Sequence, residues 1–163
     1  FQAEDGIRDF CLSRGLGDVY KRQILREDYI KFYPLSTRWM DNDMFGHINN
    51  VVYYSFFDTA VTHFLIEAGC LKIKNNPIVF YVVHTSCNYI DGLSYPEEIE
   101  AGLMLKKIGK TSITYGVSVF KKGAVSAAAY GEFIHVHVDR NSNKSTPIPE
   151  NIRQTIKSLM KNK

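Results

Sequence analysis

Arg38-Trp-Met-Asp41-Asn-Asp43-Met-Phe-Gly46-His47-Ile-Asn49-Asn50 runs directly into a stretch, Asn50 to Ala68, that contains neither Pro nor Gly. Within that stretch Tyr53, Phe56, Phe57, Ala60, Phe64, Leu65 and Ala68 recur at helical spacing. Asn49 or Asn50 caps the start, and Gly69 is placed to supply the left-handed residue after the end. Val51, Val52, Tyr54, Val61 and Ile66 add apolar groups on the other faces, so the helix is hydrophobic nearly all round, the pattern of a buried helix. At ~1.5 Å per residue it approaches ~30 Å, a length that also suits a membrane. Asp58, Thr59, Thr62, His63 and Glu67 interrupt it, however, which makes it the core of a soluble domain.

Outward from this helix the chain reads as strands. Tyr29 to Trp39 forms a first strand, interrupted at Pro34. Ile78 to Ile90, rich in Val, Tyr and Phe, lies between Asn-Asn-Pro and Asp-Gly turns. Glu98 to Ile108 places Ile99, Ala101, Leu103 and Leu105 on one face. After Gly109-Lys110, Thr111 to Lys121 sets Ile113, Tyr115, Val117 and Val119 against Ser112, Thr114, Gly116 and Ser118. Lys122-Gly123 turns the chain into a last long strand, Ala124 to Asp139. Pro147 and Pro149 introduce a short C-terminal helix with Ile152, Ile156 and Leu159. One helix followed by strands joined through tight turns predicts an α+β domain, a curved antiparallel sheet of about five strands wrapped around the helix.

Composition sets the wider frame. A chain of 163 residues, 45% hydrophobic and 23% charged, is enough for one domain with a real core. The net charge of +3 points to neither a nucleic-acid nor a membrane-surface partner. Cys11, Cys70 and Cys87 form neither a disulfide framework nor a metal knuckle, so a reducing cytoplasmic setting is expected. Residues 1–23 differ from the rest, with cancelling charges, three glycines (Gly6, Gly15 and Gly17) and no signal-peptide pattern. From Ala3 they resemble adapter-derived leaders, and Asp18-Val-Tyr-Lys-Arg-Gln23 resembles a translated transposon end. A non-native, disordered leader is expected there, with the domain occupying residues 24–163.

The pieces Arg38-Trp-x-Asp41-x-Asp43-x-x-Gly46-His47-Ile-Asn49-Asn50-x-x-Tyr53 and Phe56-Phe57-Asp58 resemble the hotdog-fold acyl-CoA thioesterases, in the branch related to 4-hydroxybenzoyl-CoA thioesterase. The part around Asp43, His47, Asn49 and Asn50 is also similar to plant acyl-carrier-protein thioesterases. With Tyr89 to Pro96 and Gly109-Lys-Thr-Ser112, the resemblance runs from about Tyr33 to Pro149. It implies a sheet curled around the helix, edge-to-edge homodimers or homotetramers with sites at the interface, and hydrolysis of an acyl-CoA or acyl-carrier-protein thioester without cofactor or metal. Asp58 stands where many relatives carry Glu, and Val61 where many carry Arg.

The residues carry that chemistry independently of the resemblance. Thioester hydrolysis needs a nucleophile or general base and donors aimed at the oxygen that becomes negative. Asp43, before a helix N-terminus, meets amides that favour an anion by ~0.3–1 kcal/mol and that also suit a thioester carbonyl. By the family analogy Asp43 attacks the carbonyl or activates water. His47 orients the substrate or Asp43, or else bonds backbone in the turn. Gly46 lets backbone approach the substrate. Gly46, Asn49, Asn50 and Tyr53 are the candidate substrate-binding positions, the two Asn also being read as holding the helix start. Asp41 is the turn acid with no chemical role.

Other constellations are weaker. His135-x-His137 puts two rings on one strand face, either in a zinc site lacking a third ligand or on a polar sheet surface or subunit interface. His84 and Cys87 face opposite ways, against a dyad, and Gly92-Leu-Ser94-Tyr-Pro96 lacks the second Gly of a nucleophile elbow. Two functions remain: a thioester hydrolase, and a catalytically silent hotdog module that binds acyl thioesters as a sensor or scaffold.

Overall fold

The computed structural model describes residues 24–71 and 78–160, so the expectation for residues 1–23 lies outside the described residues. The long helix, α1, spans Asn50–Glu67. Asn49 is its cap: its side chain accepts from the Val51 amide at 3.2 Å. Gly69, with φ +66°, ends the helix. There the Cys70 amide donates to Leu65 O and the Gly69 amide to Ile66 O, each at 2.9 Å, the paired closure that a left-handed residue after a helix permits.

The strands are β1 (Lys31–Leu35), β2 (Ile78–Tyr89), β3 (Ile99–Ile108), β4 (Ser112–Lys121), β5 (Ala129–Asp139) and the short β6 (Lys144–Ser145); α2 (Glu150–Leu159) follows. They form one antiparallel sheet in the order β1-β3-β4-β5-β2, with β6 added to β5. This is the expected hotdog arrangement, a curled sheet around one helix. Tyr53, Phe56, Phe57, Ala60, Val61, Phe64 and Leu65 turn inward from α1 and meet Ile99, Ala101, Leu103, Ile113, Tyr115, Val117, Val119 and Phe133 from the sheet.

Three differences from the sequence reading have physical causes. The first and last strands are shorter than expected, because residues 36–41 leave the sheet for a 3-10 turn and residues 124–128 are held by the chain at Ile24 to Arg26. That same N-terminal segment buries the outer face of β4: Tyr29 and Ala127 enclose Phe120, and Ser118 hydrogen-bonds the Tyr29 hydroxyl. The polar alternation of β4 therefore does not mark a solvent face. Finally, α1 is enclosed on one side only, and Val51, Ser55, Asp58 and Ile66 form an open stripe along it.

Candidate functional site

The loop between β1 and α1 is a small closed hairpin. Asn42 and Ile48 form an antiparallel bridge, and within it the Asp43 amide donates to His47 O at 2.8 Å and the Gly46 amide to Asp43 O at 3.1 Å. Gly46 sits at φ +84°, so its lack of a side chain is required by the turn itself. Ordinary β-turn chemistry thus brings Asp43 and His47 together.

The two acids of the loop have separate fates. Asp41 is 1% exposed. Its Oδ1 accepts from Arg38 Nε at 3.0 Å and from an Arg38 terminal nitrogen at 2.8 Å, while Oδ2 accepts from the Arg38 amide at 2.8 Å. The Asp41 side-chain hydrogen bond raises the Arg38 guanidinium above its ordinary value. The Asn49 amide donates to Asp41 O at 2.8 Å, so this acid fastens the turn to the cap of α1.

Asp43 is half-buried. Its Oδ1 accepts from the Phe45 amide at 2.8 Å and the His47 amide at 3.3 Å. Oδ2 takes part in none of the hydrogen bonds among the described residues. The amides that hold the carboxylate belong to the loop and not to α1, a correction to the expected helix-end contact; the Val51 amide of α1 is occupied by Asn49. Asn50 and His47 are exposed, whereas Tyr53 is 3% exposed, with its ring edge-on to Tyr89 at 5.2 Å. Burial raises the Tyr53 phenol, against a hydrogen bond with the Leu93 backbone that lowers it. Tyr53 is thus packed against the neighbouring 91–95 loop rather than opening to the surface.

That second loop braces the first. The Ile48 amide donates to Leu93 O at 2.7 Å, and the Tyr95 amide to Asn42 Oδ1 at 3.0 Å. The Tyr89 hydroxyl donates to Asn50 O at 3.0 Å, which ties the end of β2 to the first turn of α1. The sequence reading took Asp91-Gly92 as a turn after a strand and Tyr89 to Pro96 as part of the resemblance, but missed this support. Trp39, Met40, Met44, Phe45 and Val51 stand exposed around the site, an apolar rim with Met44 at 90%.

A cavity of about 350 Å³ lies to one side, lined by Leu35, Thr37, Tyr95, Glu97, Glu98 and Lys122 among others. Neither Asp43 nor His47 lines it, and its glutamates are each paired with a cation, Glu97 with Lys121, Glu98 with Lys122 and Glu100 with Arg26. The Asp43 loop and the cavity therefore do not coincide.

The remaining constellations resolve differently from expectation. His135 and His137 are not on a polar surface: they are 4% and 0% exposed and face the core, His135 against Phe80, Tyr115 and Phe133. His137 Nδ1 meets Thr146 O at 3.0 Å, and desolvation lowers the His135 pKa to about 4, so its buried ring is neutral near pH 7. Among the described residues no group of three potential metal ligands occurs. His84 pairs with Ile134 and Cys87 with Gly131 in continuous register beyond the irregularity between Val82 and His84, so they do face opposite ways. Asp58 enters no ion pair among the described residues, and burial raises its carboxyl.

Against known proteins, the Thioesterase-like superfamily matches residues 37–156. The PA5185 protein of Pseudomonas aeruginosa strain PAO1 has a solved structure 43% identical to this chain, covering 86% of this chain and 98% of its own, with a TM-score of 0.81. A solved gentisyl-coenzyme A thioesterase is 24% identical, covers 77% of this chain and 98% of its own, and superposes with a TM-score of 0.68, a likeness of fold. The uncharacterized protein YsmA of Bacillus subtilis is 25% identical over 83 residues, 51% of this chain and 56% of YsmA, so the chain spans little more than half the length of that curated relative.

Proposed function

The chain belongs to the thioesterase-like superfamily, and we propose that it hydrolyses acyl-CoA thioesters to a carboxylic acid and CoA, with Asp43 as nucleophile or general base. The supporting observation is the way Asp43 is held. Two loop amides fix one carboxylate oxygen, the other carries no hydrogen bond among the described residues, and the exposed His47 stands on the same turn. A carboxylate fixed in advance avoids the ordering cost at the moment of reaction.

As nucleophile, Asp43 Oδ2 adds to the thioester carbonyl, the C–S bond breaks, and the departing thiolate takes a proton from solvent. Water then hydrolyses the acyl-aspartyl anhydride. As general base, the carboxylate takes a proton from a water whose oxygen attacks the carbonyl, and that proton passes to the departing sulfur. In both routes His47 orients the thioester, its imidazole donating to the carbonyl oxygen as charge gathers there. Gly46 admits the substrate close to the backbone, while Asn49, Asn50 and Tyr53 hold the start of α1 against it. Neither cofactor nor metal enters these steps.

The gentisyl-coenzyme A thioesterase among the structural relatives supports CoA as the thiol carrier; an acyl-carrier protein is the other candidate. We further propose that two copies pair along β2, an unpaired sheet edge that exposes Tyr81, Val82 and Val83, into a homodimer or homotetramer. Among the described residues no helix is long and apolar enough to cross a membrane. Cys70 and Cys87 are free thiols, which suits a reducing cytoplasm. The decisive experiment is a hydrolysis screen over acyl-CoAs of differing length and aromaticity. Release of CoA from one class carries the proposal; binding without release assigns the chain to the silent acyl-thioester module instead.

A further inference from the structure

Glycines at turns are usually explained by backbone conformation. Gly46, Gly69 and Gly123 fit that explanation, with φ of +84°, +66° and +76° and open space where a Cβ would stand. Gly92 is the opposite case. Its φ lies outside the left-handed region, so its conformation suits any residue, yet a Cβ there would stand 2.8 Å from His47 Cδ2, 3.1 Å from Nε2 and 3.4 Å from Cγ. The space a side chain would take is filled by the imidazole.

The backbones around this contact cannot simply part. The Ile48 amide bonds Leu93 O at 2.7 Å and the Tyr95 amide bonds Asn42 Oδ1 at 3.0 Å, while the Gly92 amide bonds Asp91 Oδ1 at 2.9 Å within the second loop. Leu93 is 2% exposed and anchors its loop in the core. The 42–48 and 91–95 loops are therefore stitched together on both sides of His47, and the exposed imidazole is the one part free to swing.

We propose that Gly92 is a positioning residue: by lacking a side chain it seats the His47 imidazole flat against the 91–95 loop, beside the turn that holds Asp43. The inference rests on the hydrolytic reading above, since it gives His47 a position to keep. A methyl group at 92 rotates the ring away while leaving the Asp43 turn hydrogen bonds and the fold in place. Displacing a positioned group by about 1 Å costs up to ~10²-fold in rate.

The test uses the full chain in four forms: parent, Gly92→Ala, His47→Ala and the double variant. For the acyl-CoA found in the screen, Gly92→Ala should lower kcat by about 10- to 100-fold with KM within a few-fold. In the His47→Ala background the same substitution should change kcat by less than about twofold, because the group it displaces is gone. Independently of turnover, the His47 ring signals in an imidazole-selective NMR spectrum should move in Gly92→Ala, with melting temperature preserved. Equal losses from Gly92→Ala with and without His47, or His47 signals that do not move, overturn the proposal. A parent that hydrolyses nothing while the His47 signals still move refutes the hydrolase reading and leaves the seating contact standing.

Discussion

Asp43→Asn and Asp41→Asn are the same chemical change two residues apart, and the structure predicts opposite consequences. Asparagine at 43 retains an oxygen to accept from the Phe45 and His47 amides, now 2.8 and 3.3 Å from Oδ1, so the turn persists. What is lost is the charge assistance of two hydrogen bonds, about 1 kcal/mol in a half-buried site. Chemistry loses far more. A neutral amide neither attacks a carbonyl nor accepts a proton, and losing a positioned acid–base group lowers kcat by ~10²–10⁴, equivalent to ~2.7–5.5 kcal/mol at the transition state. Asp41 inverts the pattern. Its carboxylate is buried and receives the Arg38 amide and guanidinium, so its neutralisation lowers the melting temperature while kcat changes by only a few-fold. Steady-state kinetics at saturating acyl-CoA and thermal unfolding of both variants measure the contrast. Equal losses of activity and stability in the two would refute the division of labour, and an Asp43→Asn protein with parental kcat would remove Asp43 from the chemistry.

Light scattering on residues 24–163 should give a dimer or tetramer, and Val82→Glu, placing a charge on the exposed edge strand, should shift it toward monomer; a parent that is monomeric and fully active refutes the paired edge. Deleting residues 1–23 should leave melting temperature and turnover unchanged, a large fall in either showing that the segment contributes to the fold. His135 should give the fold an acid-side weakness: its pKa is about 4 in the folded chain against 6.5 for the free side chain, so between these values the unfolded chain takes up a proton that the folded one does not. Stability is then full above pH 6.5, falls by up to about 3 kcal/mol as the pH drops to 4, and levels below it. Denaturant titrations of the parent and His135→Phe check this, and identical slopes between pH 6.5 and 4.5 would sink it.

How much of this was legible depended on which physical rule governed each segment. α1 declared itself because a helix of eighteen residues ended by Gly69 and capped by Asn49 is specified locally. The strands were legible where turns bounded them, as at Gly109 and Gly123. They were overdrawn where distant chain took over, since nothing within residues 124–128 announces that their amides pair with Ile24 and Val119. The face of β4 carrying Ser118 reads as polar, and its burial depends on Tyr29, far away in sequence. His135 and His137 misled for the same reason. Histidine is polar by composition, but a neutral imidazole among Phe80, Tyr115 and Phe133 is an acceptable core residue. In the site, the motif identified the loop and separated Asp43 from Asp41, but not the groups that hold each acid, which depend on where the Arg38 guanidinium and the loop amides fall. Gly92 read only as a turn glycine and a failed elbow, because its contact with His47 across 45 residues leaves no local pattern.

The apolar excess of α1 follows the same logic one level up. A helix hydrophobic nearly all round is expected to be enclosed on all sides, yet here the sheet encloses one side and leaves Val51 and Ile66 in the open stripe. The Tyr89 hydroxyl on Asn50 O, and the Tyr53 ring against Tyr89, join the start of that stripe to the end of β2. β2 is a sheet edge with no neighbour on its outer side among the described residues, and it too exposes Tyr81, Val82 and Val83. An unpaired strand edge is costly to leave in water through its free backbone groups, and Val51 and Ile66, at the two ends of a stripe that also carries Ser55 and Asp58, add exposed apolar area beside it. A second copy paired along β2 by a two-fold axis satisfies the edge with its own edge and brings cover to the stripe. On the proposed pairing, the exposed apolar groups of the helix would serve assembly rather than a membrane.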